Sequence, residues 1–447
     1  MKTIFEVMKK IAVYTITSGL HDEKAIKFLS DSFLKGIFPD AFRNGKTPDE
    51  VGVEAEGPEA GYDYEGGDFG SFGTHALDLI YVRTGGAEGI FKALLPDLQK
   101  KNIYGANGRT KPFYLLTSGA SNSLAASLEI LSFLRQQGLA GEVLHGSNEY
   151  VSGRIGTLCK AAMAIEKMQG MTLGIVGKPS DWLISSHADL EALGNKLGLK
   201  LLDIPMEEMV EAVKATRRPA VSAEDLLHTK AISKEPDAAI AEKVREALPG
   251  ARQIHEALRT IVEKYHLNAL TLRCFDLLTA VGNTGCLALA SMNSDGVPAS
   301  CEGDVPALLS MMIAQAATGK TGFQANPARI DVNTGEMLFA HCTVPFNMVF
   351  GYCYDTHFES GIGVGIHGEL PLGPVTVFKV SGDLSRCFAA DGDLLRNQYE
   401  QNLCRTQVVL KLRPEEARYF LTEPIGNHHI IIPGHHAALL EHIVKSL

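Results

Sequence analysis

The chain has 447 residues, of which 45% are hydrophobic and 21% are charged, and its formal net charge is −10 at pH 7. This balance is typical of a folded globular protein and excludes a mainly disordered chain. The length predicts two or three domains, because single hydrophobic cores rarely grow beyond about 300 residues. The negative net charge argues against nucleic acid or an anionic membrane as a partner, since both attract clustered lysine and arginine.

The eight cysteines are scattered, without the CxxC or CxxxC spacing of zinc-binding motifs. In a chain of this length they indicate reduced thiols rather than a disulfide framework. The first twenty residues contain three lysines but neither a sustained apolar segment nor a signal cleavage site. The longest apolar run, 305–317, is too short to span a bilayer. We therefore expect a cytoplasmic protein.

Two stretches in the first part of the chain have the pattern of a β-turn-α unit. In the first, the apolar run 113–116 leads through a small polar turn into a helix pattern over 123–137. In the second, an apolar strand that begins at Met171 ends in a Gly-Lys-Pro-Ser turn. Such units build parallel sheets. The sequence therefore predicts the α/β class, with two doubly wound domains over 1–170 and 171–317.

The pattern changes from Gly322 onward. Short runs rich in valine, threonine, phenylalanine and isoleucine alternate with glycine turns, and helix patterns are scarce until 437–445. Many short strands separated by turns are typical of a barrel or sandwich. We therefore predict a β-rich, barrel-like C-terminal domain over 318–447. The GxGxxG match at 363–368 has no helix pattern after it, so it does not indicate a dinucleotide-binding loop.

The stretch 299–344 contains two features of a functional site. Glu302 and Asp304 stand immediately before the apolar helix pattern, and His341 ends a predicted strand. Carboxylates are also common at helix N-termini, because the first N–H groups and the helix dipole favour negative charge. Residue types alone are therefore compatible both with a structural helix cap and with a functional site.

Four of the fifteen histidines lie in the short segment 424–436. Neighbours along a strand point to opposite faces, so His428 and His429 cannot both face one site. A carboxylate such as Glu302 together with imidazoles from separate segments suits Mn²⁺ or a similar divalent ion. The sequence therefore predicts a metal centre that draws on distant parts of the chain.

Four motifs resemble those of the L-fucose isomerase and L-arabinose isomerase superfamily, and most nearly those of its shorter fucose-isomerase-like members. They are C-E-G-D-V-P-A-L-L at 301–309, F-Q-A-N-P at 323–327, F-A-H-C at 339–342 and G-N-H-H at 426–429. The resemblance covers most of the chain, but its specific part is this ordered set after residue 300. It implies two Rossmann-like domains followed by a β-rich domain, and homotrimers or homohexamers with active sites between subunits.

The resemblance also implies an aldose–ketose isomerase that uses Mn²⁺ and acts on an open-chain sugar or modified sugar through an enediol. Glu302 and His428 take the positions of metal ligands, with His429 the less favoured histidine. His341 resembles an additional histidine ligand. Asn326 stands here in place of the second carboxylate of these enzymes. It is therefore an expected metal ligand that offers an amide instead of a carboxylate.

The replacement at Asn326 bears on the chemistry. An amide oxygen can coordinate a metal, but an amide cannot shuttle protons, and an enediol reaction needs an acid–base pair. Glu302 is the expected catalytic carboxylate, and Asp304 and Asp331 are the local candidates for its partner. Asp304 is expected to cap the helix. For Asp331 two roles remain open, that of a turn residue and that of the catalytic partner.

Five other side chains are candidate substrate contacts. His357 and Glu359 stand at alternate positions of a predicted strand and could share one face. Arg405 could hold a hydroxyl, carboxylate or sulfonate, or it could form a surface ion pair. Trp182, the only tryptophan, could stack on a sugar face, and Asn427 directly precedes His428.

Two alternatives remain open at the level of sequence. Asn326 in place of an aspartate is compatible with a different divalent-metal enzyme, such as a lyase or epimerase of a polyhydroxylated acid. A non-catalytic sugar-binding protein on the same scaffold is the other alternative, which the retained ligand residues disfavour.

Overall fold

A computed structural model describes residues 11–19, 23–38, 69–104, 108–220, 232 and 236–447. The chain divides into two compact units, the first over 1–166 with Ser446 and the second over 167–445 with Leu447. No helix within the described ranges is both long enough and apolar enough to cross a membrane.

The described residues of the first unit form short strands and longer helices in alternation. In chain order these are β1 (Ile11–Ile16), α1 (Glu23–Ile37), β2 (Leu77–Val82), α2 (Glu88–Lys101), β3 (Ile103–Tyr104), β4 (Arg109–Thr110), β5 (Phe113–Leu116), α3 (Ser123–Gln136), β6 (Gly141–Leu144) and α4 (Asn148–Met168).

A four-stranded parallel sheet in the order β1-β2-β5-β6 forms the centre of the first unit. Its strand order follows the chain among the described strands. Alternate residues of β2 enter two separate cores: Leu79 packs with α1 and α4, whereas Ile80 packs with α2 and α3. Helices therefore cover both faces of the sheet, which explains why β2 and β5 are apolar along nearly their whole length.

The second unit begins with another α/β region. Its elements are β7 (Thr172–Val176), α5 (Leu190–Leu197), β8 (Lys200–Ile204), α6 (Met206–Ala215), α7 (Ala238–Tyr265), β9 (Ala269–Leu272), α8 (Cys274–Val281), α9 (Cys286–Ser294), β10 (Ala299–Cys301) and α10 (Val305–Thr318).

The sheet of this region is also parallel, but its strand order is β10-β9-β7-β8. Strand β8 lies on one side of β7, whereas β9 and β10 lie on the other. The strand order therefore reverses between β7 and β9. Open α/β sheets place ligands outside the carboxyl ends of the strands at such a reversal.

The remaining elements are mostly strands. They are β11 (Phe323–Ile330), β12 (Glu336–His341), a 3₁₀ turn (Phe346–Met348), β13 (Gly351–Asp355), β14 (Gly365–Glu369), β15 (Gly373–Val380), β16 (Cys387–Gln398), β17 (Thr406–Lys411), α11 (Pro414–Thr422), β18 (His429–Pro433) and α12 (Ala437–Lys445).

Six of these strands close an antiparallel barrel in the order β11-β12-β17-β16-β15-β18, and β13 and β14 form a separate hairpin. Phe323 and Ala325 of β11 enter the same core as Met337 of β12. Because side chains alternate along a strand, Gln324 and Asn326 project from the opposite face of β11. The predicted fold class is confirmed at the level of parallel α/β sheets and a C-terminal barrel, and the Rossmann-like assignment stays a prediction.

Candidate metal centre

Glu302, His341 and His428 come together in the second unit. One potential ligand atom from each residue lies within 4.8 Å of the others. The three residues belong to separate elements: Glu302 follows β10, His341 ends β12 and His428 precedes β18. Both imidazoles are buried, and the carboxylate is partly exposed. The folded chain therefore brings together the carboxylate and histidines that were selected from the sequence.

The backbone at Glu302 adopts a left-handed conformation that is rare for residues other than glycine. Its φ is +64°, and φ at Gly303 is +71°. A Cβ atom at Gly303 would lie 2.4 Å from the Lys178 carbonyl oxygen, so only glycine fits there. The Ser180 N–H donates to the Glu302 carbonyl at 3.0 Å. Such strain persists where surrounding contacts hold it, and it is concentrated at functional sites.

The Glu302 side chain is oriented by the only tryptophan. Trp182 Nε1 donates to Glu302 Oε2 at 2.7 Å. This bond leaves Oε1 as the carboxylate oxygen on the histidine side, 3.5 Å from His428 Nε2. The indole itself is 51% exposed. Its N–H therefore holds a metal-ligand candidate while solvent reaches the ring.

His428 has the bonding pattern of a metal-ligating histidine. Its Nδ1 lies 2.8 Å from Asp304 Oδ2, so the network assigns Nδ1 as the donor. Its Nε2 is buried and has no hydrogen-bond partner among the described residues. Metal-binding histidines commonly donate their second N–H to a carboxylate, which fixes the ring and frees the other nitrogen. The orphaned Nε2 therefore fits a metal ion.

His341 also keeps one ring nitrogen for a ligand. Its Nδ1 lies 2.9 Å from Thr343 Oγ1, which leaves Nε2 for coordination. The His341 and His428 rings meet edge to face, with centroids 5.4 Å apart. Two imidazoles and one carboxylate suit a divalent transition metal better than Mg²⁺ or Ca²⁺, which prefer oxygen ligands.

Asp304 is fully buried and serves several structural roles. Its Oδ1 accepts from Ala307 N at 2.7 Å, which confirms that it caps α10. It also holds His428, and both of its oxygens lie 3.4 Å from Lys379 Nζ. Lys379 is itself fully buried on β15. The sequence predicts the cap but not the two charged partners, which come from distant segments.

These contacts separate the pKa values of the four titratable groups. Burial disfavours the charged form of Glu302, but the interaction with His428 outweighs it and lowers the pKa to about 2. Burial likewise opposes ionisation of Asp304, but Lys379 and His428 hold its pKa well below the usual range. Burial would lower the pKa of His428, but Asp304 and Glu302 raise it to about 9. Burial and then His428 lower the pKa of His341 to about 3. A divalent cation here would take the place of the His428 proton.

His429 is held away from this cluster. Its Nδ1 lies 3.0 Å from the Asn427 carbonyl and its Nε2 lies 3.2 Å from the Tyr419 hydroxyl. Its ring packs among Phe388 and Phe420. Both nitrogens are occupied, so His429 is a structural residue beside His428.

Asn326 and Asn427 lie beside the segments that carry the two histidines. Asn427 Nδ2 donates to Asn326 Oδ1 at 3.1 Å. Asn326 stands opposite Ala340, the residue before His341, in the β11–β12 pairing. The structure thus brings both amides to the edges of the site. Coordination of a metal by Asn326 stays a prediction.

The structure does not bring Asp331 to the cluster. It lies in the turn between β11 and β12, where its Oδ1 accepts from Asn333 N at 2.9 Å. Those local contacts lower its pKa. Five residues of extended chain, about 16 Å, separate it from Asn326. Its position is that of a turn residue at the far end of the hairpin.

His357 and Glu359 are on a loop, because β13 ends at Asp355; the expectation of a shared strand face is therefore wrong. Phe275 links His357 to Trp182, with ring centroids 5.6 Å and 5.2 Å apart. Burial, followed by the positive charge of Arg405, lowers the pKa of His357. Partial burial and the negative charge of Glu302 raise the pKa of Glu359. Both residues therefore belong to the electrostatic surroundings of Glu302.

Arg405 is buried and engaged within the protein. Its Nε lies 2.8 Å from the Thr356 carbonyl and 3.3 Å from Asp355 Oδ1. The Tyr399 hydroxyl donates to the other oxygen of Asp355 at 3.1 Å. The pair is therefore a buried one rather than the surface ion pair that the sequence allowed. Its guanidinium anchors the loop that carries His357.

Gln324 was not selected from the sequence. It lies in the F-Q-A-N-P motif, two residues before Asn326 and on the same face of β11. Its Oε1 accepts from the N–H of Cys301, the residue before Glu302, at 2.8 Å. Gln324 and Asn326 stand at alternate positions of the motif, which in a strand places them on one face. This spacing is the sequence signal that could have identified Gln324.

Comparisons with known proteins give distant similarity to sugar isomerases. No protein-family model matches the chain. It is 26% identical over 233 residues to a sulfoquinovose isomerase of Clostridium sp. (strain MSTE9), which covers 52% of this chain and 49% of that protein. It is 24% identical over 257 residues, 56% of each chain, to sulfoquinovose isomerases of Priestia aryabhattai and of Priestia megaterium (strain ATCC 12872 / QMB1551). The match thus spans about half the length of these relatives.

Proposed function

We propose that this protein is a divalent-metal-dependent aldose–ketose isomerase, that Mn²⁺ is its ion, and that sulfoquinovose or a closely related modified sugar is its substrate. The observation that carries the proposal is the cluster of Glu302 with the buried His341 and His428. In it Asp304 aligns His428, whose Nε2 has no hydrogen-bond partner in the described part of the chain. The distant sulfoquinovose isomerases support the reaction class and the substrate.

The residues of the cluster suit an enediol reaction. Such a reaction moves one proton from C2 to the former carbonyl carbon C1, and a second proton from the C2 hydroxyl oxygen to the C1 oxygen. A divalent ion held by Glu302, His341 and His428 would stabilise the negative charge that develops on the substrate oxygens. Glu302 is ionised at neutral pH, so it can act as a ligand, and we assign the proton-accepting role to it as the carboxylate of the cluster.

A second carboxyl group is needed to return the proton. Asp331 is committed to its turn, and we therefore assign this role to Glu359. The pKa of Glu359 is raised by burial and by the charge of Glu302. Two carboxyl groups whose pKa values are driven apart are the usual arrangement for opposite acid–base roles. His357 and Trp182 adjoin the same surface, and together with Asn427 they remain the proposed substrate contacts. Asn326 remains the proposed additional metal ligand.

Assembly as a homotrimer or homohexamer is part of this proposal, as the resemblance to the fucose and arabinose isomerases implies. The molar mass of the protein in solution, measured by light scattering, tests it. A monomer at micromolar concentration would remove the expectation of active sites between subunits.

The decisive experiment is incubation of the Mn²⁺-loaded protein with sulfoquinovose in D₂O, followed by NMR. We expect a ketose product with deuterium at C1, and deuterium at C2 of the recovered aldose. Ketose without deuterium would keep the isomerase and reject an enediol whose proton exchanges with solvent. Failure to convert sulfoquinovose, glucose, fucose and arabinose would overturn the proposed function.

Metal binding has a readout that does not depend on turnover. Trp182 is the only tryptophan, and its N–H bonds Glu302 directly. Titration with Mn²⁺ should therefore change the tryptophan fluorescence and saturate at one ion per chain. An unchanged spectrum, together with no manganese retained after dialysis, would contradict the assigned ligands.

A further inference from the structure

Three buried polar atoms without a partner surround the segment 301–304. Among the described residues, seven buried side-chain nitrogen or oxygen atoms lack a hydrogen-bond partner. Three of them are His428 Nε2, Ser180 Oγ and Gln324 Nε2, and each residue makes a separate hydrogen bond to this segment. Unpartnered buried groups are unfavourable and rare. Three such residues bonded to one short segment are what a ligand-binding site would provide, and the fit of His428 to a metal accounts for one of them.

The orientation of the Gln324 amide is fixed by its other end. The side chain is 1% exposed. Its Oε1 accepts from Cys301 N at 2.8 Å, and a backbone N–H can bond only to the oxygen of an amide. The NH₂ group is therefore the end for which the described ranges supply no hydrogen-bond partner. The reversed amide would set two donors against each other, so the hydrogen-bond network allows only this orientation.

Gln324 also stands where the parts of the candidate centre meet. It is bonded to the residue before Glu302, and in the barrel it pairs with Ile430, two residues after His428. Asn326 projects from the same face of β11, and its Oδ1 is held by Asn427. Gln324 is thus joined to the acidic turn through its side chain and to the histidine strand through its backbone.

We infer that Gln324 binds the substrate, with its Nε2 donating a hydrogen bond to a hydroxyl group of the open-chain sugar. This inference rests on the proposed function and adds a residue that selects the substrate. A neutral NH₂ donor suits a neutral hydroxyl oxygen, whereas a buried anion is bound by charged donors. An amide transfers no proton, so Gln324 determines binding and position rather than acid–base chemistry.

The chain offers a matched control for the test. Gln169, in the connection between α4 and β7, also has a buried Nε2 without a partner among the described residues. Gln324→Met removes the hydrogen-bonding groups at similar length, and Gln169→Met does the same away from β11. Gln324→Glu is the second variant: it keeps an acceptor for Cys301 N and removes the NH₂ donor above its own pKa, so it preserves the structural contact.

The measurements are kcat and KM for sulfoquinovose at saturating Mn²⁺, Mn²⁺ affinity from Trp182 fluorescence, and the unfolding temperature. Loss of one buried hydrogen bond to substrate should lower kcat/KM about 10- to 100-fold in Gln324→Met. Mn²⁺ affinity should stay within about threefold, and Gln169→Met should match the native protein in all kinetic constants. Gln324→Glu should show a similar loss at pH 8 and regain activity relative to native protein at lower pH, as its carboxyl becomes a donor.

Monodeoxy analogues of sulfoquinovose identify the hydroxyl. The native protein should lose about tenfold or more in kcat/KM on one analogue, and Gln324→Met should show no further loss on that same analogue. Unchanged kcat/KM in Gln324→Met and Gln324→Glu would overturn the inference and assign the NH₂ group to a buried water. A native protein that converts no sugar would overturn the proposed function and this inference together. Activity of the native protein with no effect of either variant would overturn the inference alone.

Discussion

The two parallel sheets of this protein are built alike but differ at their carboxyl ends. Both have four strands among the residues that the structure describes, in the orders β1-β2-β5-β6 and β10-β9-β7-β8. In the first sheet the described strands follow chain order, whereas the second sheet reverses between β7 and β9. The candidate metal centre adjoins the second sheet. Glu302 follows the edge strand β10, and its carbonyl accepts from the N–H of Ser180 in the connection after β7. The centre therefore adjoins the carboxyl ends of the strands that flank the reversal, as is usual for ligand sites of open α/β sheets.

The two sheets also differ in how their polar groups are satisfied. In the first, the turn after β5 contains the left-handed residues Ser121 and Asn122, yet Thr117 Oγ1 and Ser123 Oγ bond each other at 2.6 Å. All seven buried atoms without a hydrogen-bond partner, among the described residues, belong to the second unit, although one of them, Arg273 Nε, lies 2.8 Å from Asp276 Oδ2 in an ion pair. Strained turns therefore occur in both units, but only the described part of the second unit combines strain with unmet hydrogen-bonding groups.

The largest expected effect is on metal binding, from the carboxylate at the second sheet. Glu302→Gln should weaken Mn²⁺ binding more than about 100-fold, because it removes a ligand, and even outer-sphere changes cost 10- to 100-fold. The matched variant in the first sheet is Glu142→Gln, which breaks the 2.7 Å pair between Glu142 and Arg154. Titration followed by Trp182 fluorescence measures both. Equal Mn²⁺ affinity in the two variants would remove the functional distinction between the sheets.

Much of the fold could be predicted from local patterns. The apolar runs before β-turn-α units predict parallel strands, and the repeated short strands after Gly322 predict the barrel. Strand β16 was not recognised, because its sequence Cys387–Gln398 mixes small, acidic and polar residues. The reversal in the second sheet was not predictable either. It depends on which strand packs beside β7, and no residue of β9 or β10 specifies that by itself.

The candidate site was predictable where residue type determines chemistry. Glu302, His341 and His428 were selected because carboxylate and imidazole bind metals, and the structure brings them together. Asp331 is a candidate in the sequence because of its charge. Only the turn geometry shows that its carboxylate accepts hydrogen bonds from backbone N–H groups of the turn. Gln324 carries no charge. Its significance lies in a buried NH₂ donor that has no hydrogen-bond partner among the described residues, which only the folded structure shows.

The second expected effect is on stability, from the buried charges of the two units. Asp304→Asn keeps the helix cap, since asparagine caps as well as aspartate, but leaves Lys379 buried without its counter-charge. We expect a loss of about 3–5 kcal/mol in the free energy of unfolding. In the first unit, Asp78 accepts from the Gly73 N–H at 3.1 Å and lies 3.0 Å from His75 Nδ1, and asparagine keeps an oxygen for one of these contacts. Asp78→Asn should therefore cost only about 1 kcal/mol.

A double variant separates the lost charge pair from any general disturbance. Asp304→Asn with Lys379→Met should recover most of the stability, because a buried ion pair replaced by neutral groups of similar size is often tolerated. Urea unfolding of metal-free protein, followed by far-UV circular dichroism and by Trp182 fluorescence, provides the measurement. If the double variant is no more stable than Asp304→Asn, the Asp304–Lys379 contact is not what the single substitution breaks.

The smallest expected effect compares a glycine from each unit. Gly303 and Gly119 have similar left-handed backbones, with φ of +71° and +75°, so alanine costs about 1–2 kcal/mol at either from conformation alone. At Gly119 the new Cβ would lie 2.9 Å from Cε1 of the exposed His145 side chain, which can move away. At Gly303 it would lie 2.4 Å from the Lys178 carbonyl oxygen, which belongs to the backbone. Gly303→Ala should therefore cost about 1–3 kcal/mol more than Gly119→Ala, and it should also weaken Mn²⁺ binding by displacing Glu302. Equal losses of unfolding free energy, with Mn²⁺ affinity unchanged in both variants, would show that the turn at Gly303 yields as easily as the turn at Gly119 and does not hold Glu302 in place.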